Sequence, residues 1–370
     1  MYTTLLIIFV IAAAVAFWML PHVVTLSHTL HLYDMPDSRK VHVIPVPRLG
    51  GTVFLPIAAI VITATLVVLM RIDYNLHTLW NSVNVQHFLA YISGAMSLYA
   101  IGLYDDIHGV GYRTKFLVQT GAAAILCVSG LWISDFSYIF YIHRIAWWIG
   151  MPLTVLFVVY VTNAMNLIDG IDGLASGLSI IALIVITILN IQAGSMLWAM
   201  LATAYLGVVV VFFGYNVYGN THKTFMGDAG SLTLGYTLAF LVLHFWQDHP
   251  VWNPYFHNVG IVAMSTLILP MFDVVRVFLS RIRDHRNPFL PDKNHIHHKL
   301  LRAGLSPFMT MVTLLVISCV IIAINYFMAA YVSQTLMIVI DVALYCLMHA
   351  CINIAISRKE KDGEEYNRAY

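Results

Sequence analysis

An all-α, polytopic membrane bundle is the fold class this sequence predicts, with about eleven transmembrane helices, the N-terminus outside and the C-terminus cytoplasmic. Three observations predict it. Of 370 residues, 60% are hydrophobic and only 10% charged, where soluble domains carry roughly a quarter charged. The mean hydropathy is +0.81, more apolar surface than a water-soluble core can hide. The apolar residues also fall into runs of spanning length separated by short polar connections. The net charge of +1 argues against nucleic acid as a partner and against an acidic solvating chain.

A crossing helix needs about 20 mostly apolar residues for roughly 30 Å of hydrocarbon. That criterion puts spans near 4–26, 52–70, 86–104, 116–134, 145–162, 174–192, 196–215, 231–247, 258–279, 308–328 and 334–356. The first run carries a small-residue stretch at 12–16 that a signal peptidase would accept. It has no Lys or Arg before Arg39, however, and exceeds the usual apolar region of about 7–15 residues, so a retained helix is expected. The cysteines, Cys127, Cys319, Cys346 and Cys351, sit inside apolar runs without metal-site spacing and read as small buried hydrophobes. No linker, low-complexity tract or internal repeat divides the chain. Residues 1–356 read as one membrane domain with cytoplasmic loops, and 357–370 as a charged cytoplasmic tail.

Orientation follows from the excess of Lys and Arg in short cytoplasmic loops. With the N-terminus outside, 17 of the 19 Lys and Arg fall on the cytoplasmic face, leaving only Arg71 and Arg144 opposite. An error of one helix would scramble that alternation. The same face carries the polar, glycine-punctuated segments: His42 to Gly51, Asp105-Asp106, Asn163 to Gly173, Phe225 to Ser231 and Arg281 to His298. Any chemistry faces the cytoplasm.

Asp105-Asp106 closes an apolar run. Adjacent helical residues point about 100° apart, so one carboxylate can face a site while the other braces it; a solvated interfacial pair is the alternative. Lys115 enters the next span, where it either holds a phosphate or snorkels to the interface. Asn163, Asn166, Asp169 and Asp172 recur every three residues, a spacing that lines one helical face. Gly170 and Gly173 then let the chain unwind and bring backbone close to a ligand. Carboxylates at a membrane helix end are costly and point to function; helix capping would explain Asp172 but not the series. Asp228, in Phe225-Met-Gly-Asp228-Ala-Gly-Ser231, either complements a helix N-terminus or is a hard oxygen ligand for Mg²⁺, which binds one or two carboxylates plus substrate phosphates. The stretch from Arg281 to His298 combines arginines and imidazoles. A zinc site and a lipid-headgroup patch compete with anion binding, which fits both residue types best. The inventory suits a polyphosphate held by a metal, and hence phosphoryl transfer.

Together these motifs resemble those of the polyprenyl-phosphate N-acetylhexosamine-1-phosphate transferases. The resemblance runs through five ordered segments: Asp34 to His42 with Pro47-Arg48-Leu-Gly-Gly, Asp105-Asp106, Asn163 to Gly173, Phe225 to Ser231, and His295-Ile-His-His298. It implies an eleven-helix, N-out fold and a reaction in which a lipid phosphate oxygen attacks the β-phosphorus of a UDP-sugar, releasing UMP. It places Asp228 and Asn166 at a Mg²⁺ site that Mn²⁺ would also fill. It implies that Asp172, Leu167, Gly170 and Phe225 frame the uracil, and that Lys115 with Asp105 or Asp106 addresses the phosphates. His295, His297 and His298, helped by Arg281, Arg283 or Arg286, would hold the sugar-phosphate end. Arg48, Asn163 and Asp169 complete the substrate-binding candidates.

Within the family, Arg48-Leu-Gly-Gly and His-Ile-His-His are closer to the branch that transfers GlcNAc-1-phosphate in cell-envelope assembly than to the phospho-N-acetylmuramoyl-pentapeptide branch. Some relatives carry a third acid after the Asp pair; here the chain reads Asp105-Asp106-Ile-His-Gly. The expected partners are UDP-GlcNAc, undecaprenyl phosphate and the lipid bilayer of a bacterial inner membrane, with a homodimer among the open assembly states. A phosphate monoester has its second pKa near about 6, so the attacking phosphate is already mostly dianionic and a strong general base is not obligatory. A secondary transporter is the rival from another class, but it would gather polar residues near the midplane in repeated halves. A lipid-binding scaffold would not need Asp228.

Overall fold

The computed structural model describes residues 2–34, 45–72, 81–136, 139–248, 258–287 and 294–369, with no side chains described beyond residue 361. The segments 35–44, with Arg39, Lys40 and His42, and 288–293, with Asp292 and Lys293, lie outside the described residues.

Helices stand at each of the expected spans. They run α1 (Tyr2–Thr29), α2 (Phe54–Arg71), α3 (Ser82–His108), α4 (Tyr112–Val128), α5 (Trp147–Ile168), α6 (Leu174–Gln192), α7 (Met196–Tyr218), α8 (Gly227–Asp248), α9 (Val259–Ser265), α10 (Ile268–Arg283), α11 (Ile296–Arg302), α12 (Pro307–Met328) and α13 (Gln334–Ala369). The only sheet among the described residues is a two-stranded antiparallel pair, β1 (Tyr33–Asp34) with β2 (Val46–Pro47). Among the described residues, eight helices are long and apolar enough to cross a membrane, and the bent pair α9–α10 makes nine. The helices α3 and α4 occupy the other two expected spans without meeting that criterion. The chain is an all-α polytopic membrane bundle.

Three departures from the expected spans have local causes. The fourth stops at Val128, six residues early, because Gly130 adopts φ +93° and turns the chain out of the helix, as glycine does after a helix end. The ninth is broken, with α9 and α10 meeting at 65°. Pro270 lies in the first turn of α10, where its ring opposes the carbonyl four residues back and prevents one continuous helix. The last helix continues through 357–369 without a break. Only Cys127 is buried; Cys319, Cys346 and Cys351 face outward, at no cost where the surroundings are hydrocarbon.

The centre of the bundle is α8, whose apolar window is entirely buried between α3 and α5, with α2 and α6 flanking it. Close approach fixes its N-terminal end. A Cβ at Gly102 would lie 2.6 Å from the Ala229 Cα, and one at Gly51 would overlap the Gly230 Cα and the Met226 carbonyl. Only glycine lets α3 and the 50–53 turn reach the backbone of α8. Gly102→Ala and Gly51→Ala should therefore each destabilise the protein by about 2 kcal/mol or more. Gly121→Ala, which adds a methyl into open space, should be neutral. Thermal melting of the three variants in detergent checks this.

Candidate active site

The first turn of α8 is where the polar segments of the sequence meet. Asp106, 2% exposed at the end of α3, accepts the Asp228 N–H at 2.9 Å on Oδ1 and the Ala229 N–H at 3.0 Å on Oδ2. A carboxylate here satisfies two amides that the helix itself leaves free and complements its positive end. Arg48 in turn donates to the Asp106 carbonyl. The strand-like stretch around Arg48 is zipped to the loop before α8: Phe225 N–H donates to Pro47 (2.7 Å), Gly50 N–H to Phe225 (3.0 Å) and Gly51 N–H to Met226 (2.9 Å). Gly227 turns the chain into α8 at φ +66°.

Asp228 is thereby presented to three neighbours. Its Oδ2 accepts Lys115 Nζ at 2.9 Å, and the same ammonium reaches Asp105 Oδ2 at 2.8 Å. Its Oδ1 accepts the Asn166 side-chain amide, which also donates to Ser231 Oγ at 2.7 Å. The two adjacent acids divide their work as the helical geometry suggests: Asp106 braces α8, and Asp105 shares a cation with Asp228.

The Asn163–Asp172 series does not line one helical face. The helix α5 ends at Ile168, and Asp169 to Gly173 form a turn closed by Gly173 at φ +76°. Asn163 faces away and exchanges hydrogen bonds with Gln119. Asn166 stays on the helix, whereas Asp169, Gly170 and Asp172 enter the turn. Asn216 of α7 holds that turn to the loop before α8, accepting the Gly173 N–H at 2.6 Å and donating to the Thr224 carbonyl at 2.9 Å. Lys223 donates to Asp172 Oδ2 at 2.6 Å.

These residues line a cleft of about 720 Å³. Of the expected site residues, Arg48, Asp106, Asn166, Asp169, Gly170, Asp172, Phe225, Asp228 and His298 line it, and Asp105 and Lys115 adjoin it through Asp228. The histidine segment splits. His298 lines the cleft. His297, 1% exposed, packs so tightly under Gly170 that a Cβ there would strike its ring, and neither of its ring nitrogens has a hydrogen-bond partner among the described residues. His295 turns to Asp273, donating from Nδ1 at 2.8 Å. Burial, followed by the proximity of His298 and His295, pushes the His297 pKa down to about 3, so this ring is neutral rather than a cation for a phosphate. Arg281 is buried, donating to the Asn287 carbonyl at 3.1 Å, while Arg283 and Arg286 are exposed. None of the three lines the cleft, nor does Leu167, which is also exposed.

Sequence reasoning missed Asn216, Gln119, Asp273 and the pairing of Lys223. Asp273 had a legible signal, as a lone acid in an apolar run with Arg276 one turn on. Asn216 and Gln119 had none, since one polar residue near a helix end is ordinary.

The donor set fits a hard cation. Among the described residues, no three His, Cys, Asp or Glu side chains are arranged to hold a metal by themselves. Asp105 and Asp228 nevertheless share one cation already, the Lys115 ammonium, and one or two carboxylates completed by phosphate oxygens is how Mg²⁺ is usually held.

Comparison with known proteins agrees with this geometry. A model of glycosyl transferase family 4 matches residues 88–246. A relative from Haemophilus influenzae, named undecaprenyl-phosphate alpha-N-acetylglucosaminyl 1-phosphate transferase, is 30% identical over 288 residues, covering 76% of this chain and 75% of its own. The chain belongs to glycosyl transferase family 4. A Bacillus subtilis relative, named probable undecaprenyl-phosphate N-acetylglucosaminyl 1-phosphate transferase, is 29% identical over 316 residues, covering 85% of this chain and 82% of its own. The Escherichia coli K12 relative, named like that of Haemophilus, is 27% identical over 333 residues, covering 88% and 84%. The family match spans α8 and the helices α3–α5 that position its N-terminus.

Charge crowding in this family 4 cleft has a measurable sign. Burial, followed by the charges of Asp172, Asp228 and Asp106, pushes the Asp169 carboxyl up to about 7. An acid raised in the folded state is stabilising below its unfolded pKa of about 4, and that contribution is lost as pH rises through the folded value. Ligand-free protein should therefore lose stability between about pH 4 and 7. Asp169→Asn should flatten part of that decline; melting temperatures of the two proteins across this range, without nucleotide or metal, provide the check.

Proposed function

We propose that the chain transfers GlcNAc-1-phosphate from UDP-GlcNAc to undecaprenyl phosphate, giving undecaprenyl-pyrophosphoryl-GlcNAc and UMP, the first step of a cell-envelope glycan. The observation that carries this reading is Asp228. It stands at the mouth of α8 between Lys115 and Asn166, in a cleft that also holds acids, amides and two imidazoles, His28 and His298. The relatives' names, over most of their length, supply the sugar and the lipid. The reading includes eleven crossings with the N-terminus outside and the cleft at the cytoplasmic face of a bacterial inner membrane, an orientation that the distribution of Lys and Arg supports.

In the reaction, an oxygen of the lipid phosphate forms a bond to the β-phosphorus while the bond from that phosphorus to the bridging oxygen breaks. UMP leaves with the electron pair. The nucleophile is already dianionic at neutral pH, so the residues need to position and neutralise rather than remove a proton. Asp228 and Asp105 would hold Mg²⁺, with Asn166 orienting Asp228, and the ion would offset the charge of the pyrophosphate. Lys115 supplies a second cation beside them, free to exchange its carboxylate partners for phosphate oxygens. His298, which also lines the cleft, offers a donor. At the other end, Phe225 presents an aromatic face to a base, and Lys223 holds the carboxylate of Asp172 in place.

The purified protein should release UMP from UDP-GlcNAc only with both undecaprenyl phosphate and Mg²⁺ or Mn²⁺ present. Asp228→Ala should lower the rate by at least about 100-fold, the usual scale for losing a key electrostatic group. Absence of UMP with any UDP-N-acetylhexosamine contradicts the reaction, and an unimpaired Asp228→Ala contradicts the metal assignment.

A further inference from the structure

One buried carboxylate outside the cleft is more fully engaged than any within it. Asp273, on α10, is 0% exposed. Its Oδ2 accepts His295 Nδ1 at 2.8 Å. Its Oδ1 accepts the Ile296 N–H at 3.0 Å and Arg276 Nη2 at 2.8 Å. Arg276 also donates to the Asn294 carbonyl. One carboxylate and one guanidinium thus grip three successive residues, 294, 295 and 296, by backbone and side chain together. A buried charge is tolerated only when it is paired and hydrogen-bonded throughout, and Asp273 meets that condition through this segment.

The gripped residues run into the first turn of α11, which carries His297 under Gly170 and His298 into the cleft. The His295 and His297 rings lie 5.9 Å apart and nearly parallel, at 5°, so a shift of one moves the next. We infer that Asp273 is the positioning residue of the histidine segment. From α10 it fixes residues 294–296, so that His298 faces the cleft and His297 seats beneath the Asp169–Gly173 turn. Asp273 touches no reacting atom in this scheme and acts through His298. The inference rests on the transferase reading of the cleft for its rate effect, but not for its structural effect.

The test uses full-length protein in detergent, with UMP release and backbone hydrogen exchange measured on the same preparations. Asp273→Asn keeps the shape but presents an amide donor to His295 Nδ1, forcing the other tautomer. It should lower kcat on the order of 30-fold while KM for UDP-GlcNAc stays within about threefold, as loss of an orienting partner does elsewhere. Combined with His298→Ala, it should add less than about a threefold further loss, because both act on one group. Exchange at residues 296–299 should quicken about tenfold with α5 and α8 unchanged. A kcat within twofold of the starting protein, multiplicative losses in the double variant, or unaltered exchange overturns the inference. If the unmutated protein releases no UMP, the transferase reading fails and the exchange data alone decide the grip. If Asp273→Asn does not fold, Arg276→Gln removes the second anchor at Asn294 while sparing the Asp273–His295 bond. It should show the same exchange signature, and unaltered exchange there overturns the inference equally.

Discussion

The hydrogen bonds from the Asp228 and Ala229 amides to Asp106 are the constraint on which the rest of the site depends. They join the end of α3 to the start of α8, the most deeply buried helix of the bundle. Without them two amides would be orphaned in a dry interface, and the positive end of α8 would lack its counter-charge. Arg48 is tied to the same residue through the Asp106 carbonyl. One residue therefore sets, by its side chain, the position of Asp228 and, by its backbone carbonyl, the height at which the zipped loops from 45–51 and 224–226 enclose it. The glycines at 51, 102 and 227 are the steric counterpart, since they let three backbones approach closely enough for one carboxylate to reach.

Around that junction, most of the acids are paired with lysines. Lys115 bridges Asp105 and Asp228, and Lys223 pairs with Asp172. Asp169 has no such cation among the described residues and responds by holding its proton more tightly. An arrangement of this kind would suit the polyphosphate and metal of the proposed reaction. The carboxylates are already oriented by amides and ammonium groups, so little reorganisation is required on binding. The histidine segment contributes one imidazole to the cleft, His298, because its other two are consumed by packing under Gly170 and by the link to Asp273.

Much of this was legible in the sequence, for physical reasons. Spanning runs announce themselves because hydrocarbon tolerates no long polar interruption, so the helices at the eleven expected spans appear where composition puts them. The convergence of Asp106, Asn166, Asp228 and the histidine segment was legible because polar residues at apolar helix ends are expensive and must serve a common purpose. Directions were not legible. The three-residue spacing from Asn163 to Asp172 suggested a single helical face, but α5 ends at Ile168, so Asp172 leaves that face and pairs with Lys223, while Asn163, still on the helix, turns to Gln119. Nor does sequence distinguish a cationic histidine from one sealed in a packed interface, as His297 is. The arginines at 283 and 286 illustrate the same limit, since a basic cluster after a helix is as readily a solvated end as a binding wall. Asp273 was missed by searching loops for chemistry when its effect is exerted from within a span.

The role given to Asp106 and Asp228 is tested most directly by an electron-microscopy map of the protein with UDP-GlcNAc and Mg²⁺. The expected map has pyrophosphate density beside Lys115, Asp228 and His298, with Asp106 still capping α8. Nucleotide density outside this cleft, or Asp106 turned away from the α8 amides to hold the metal, would contradict it.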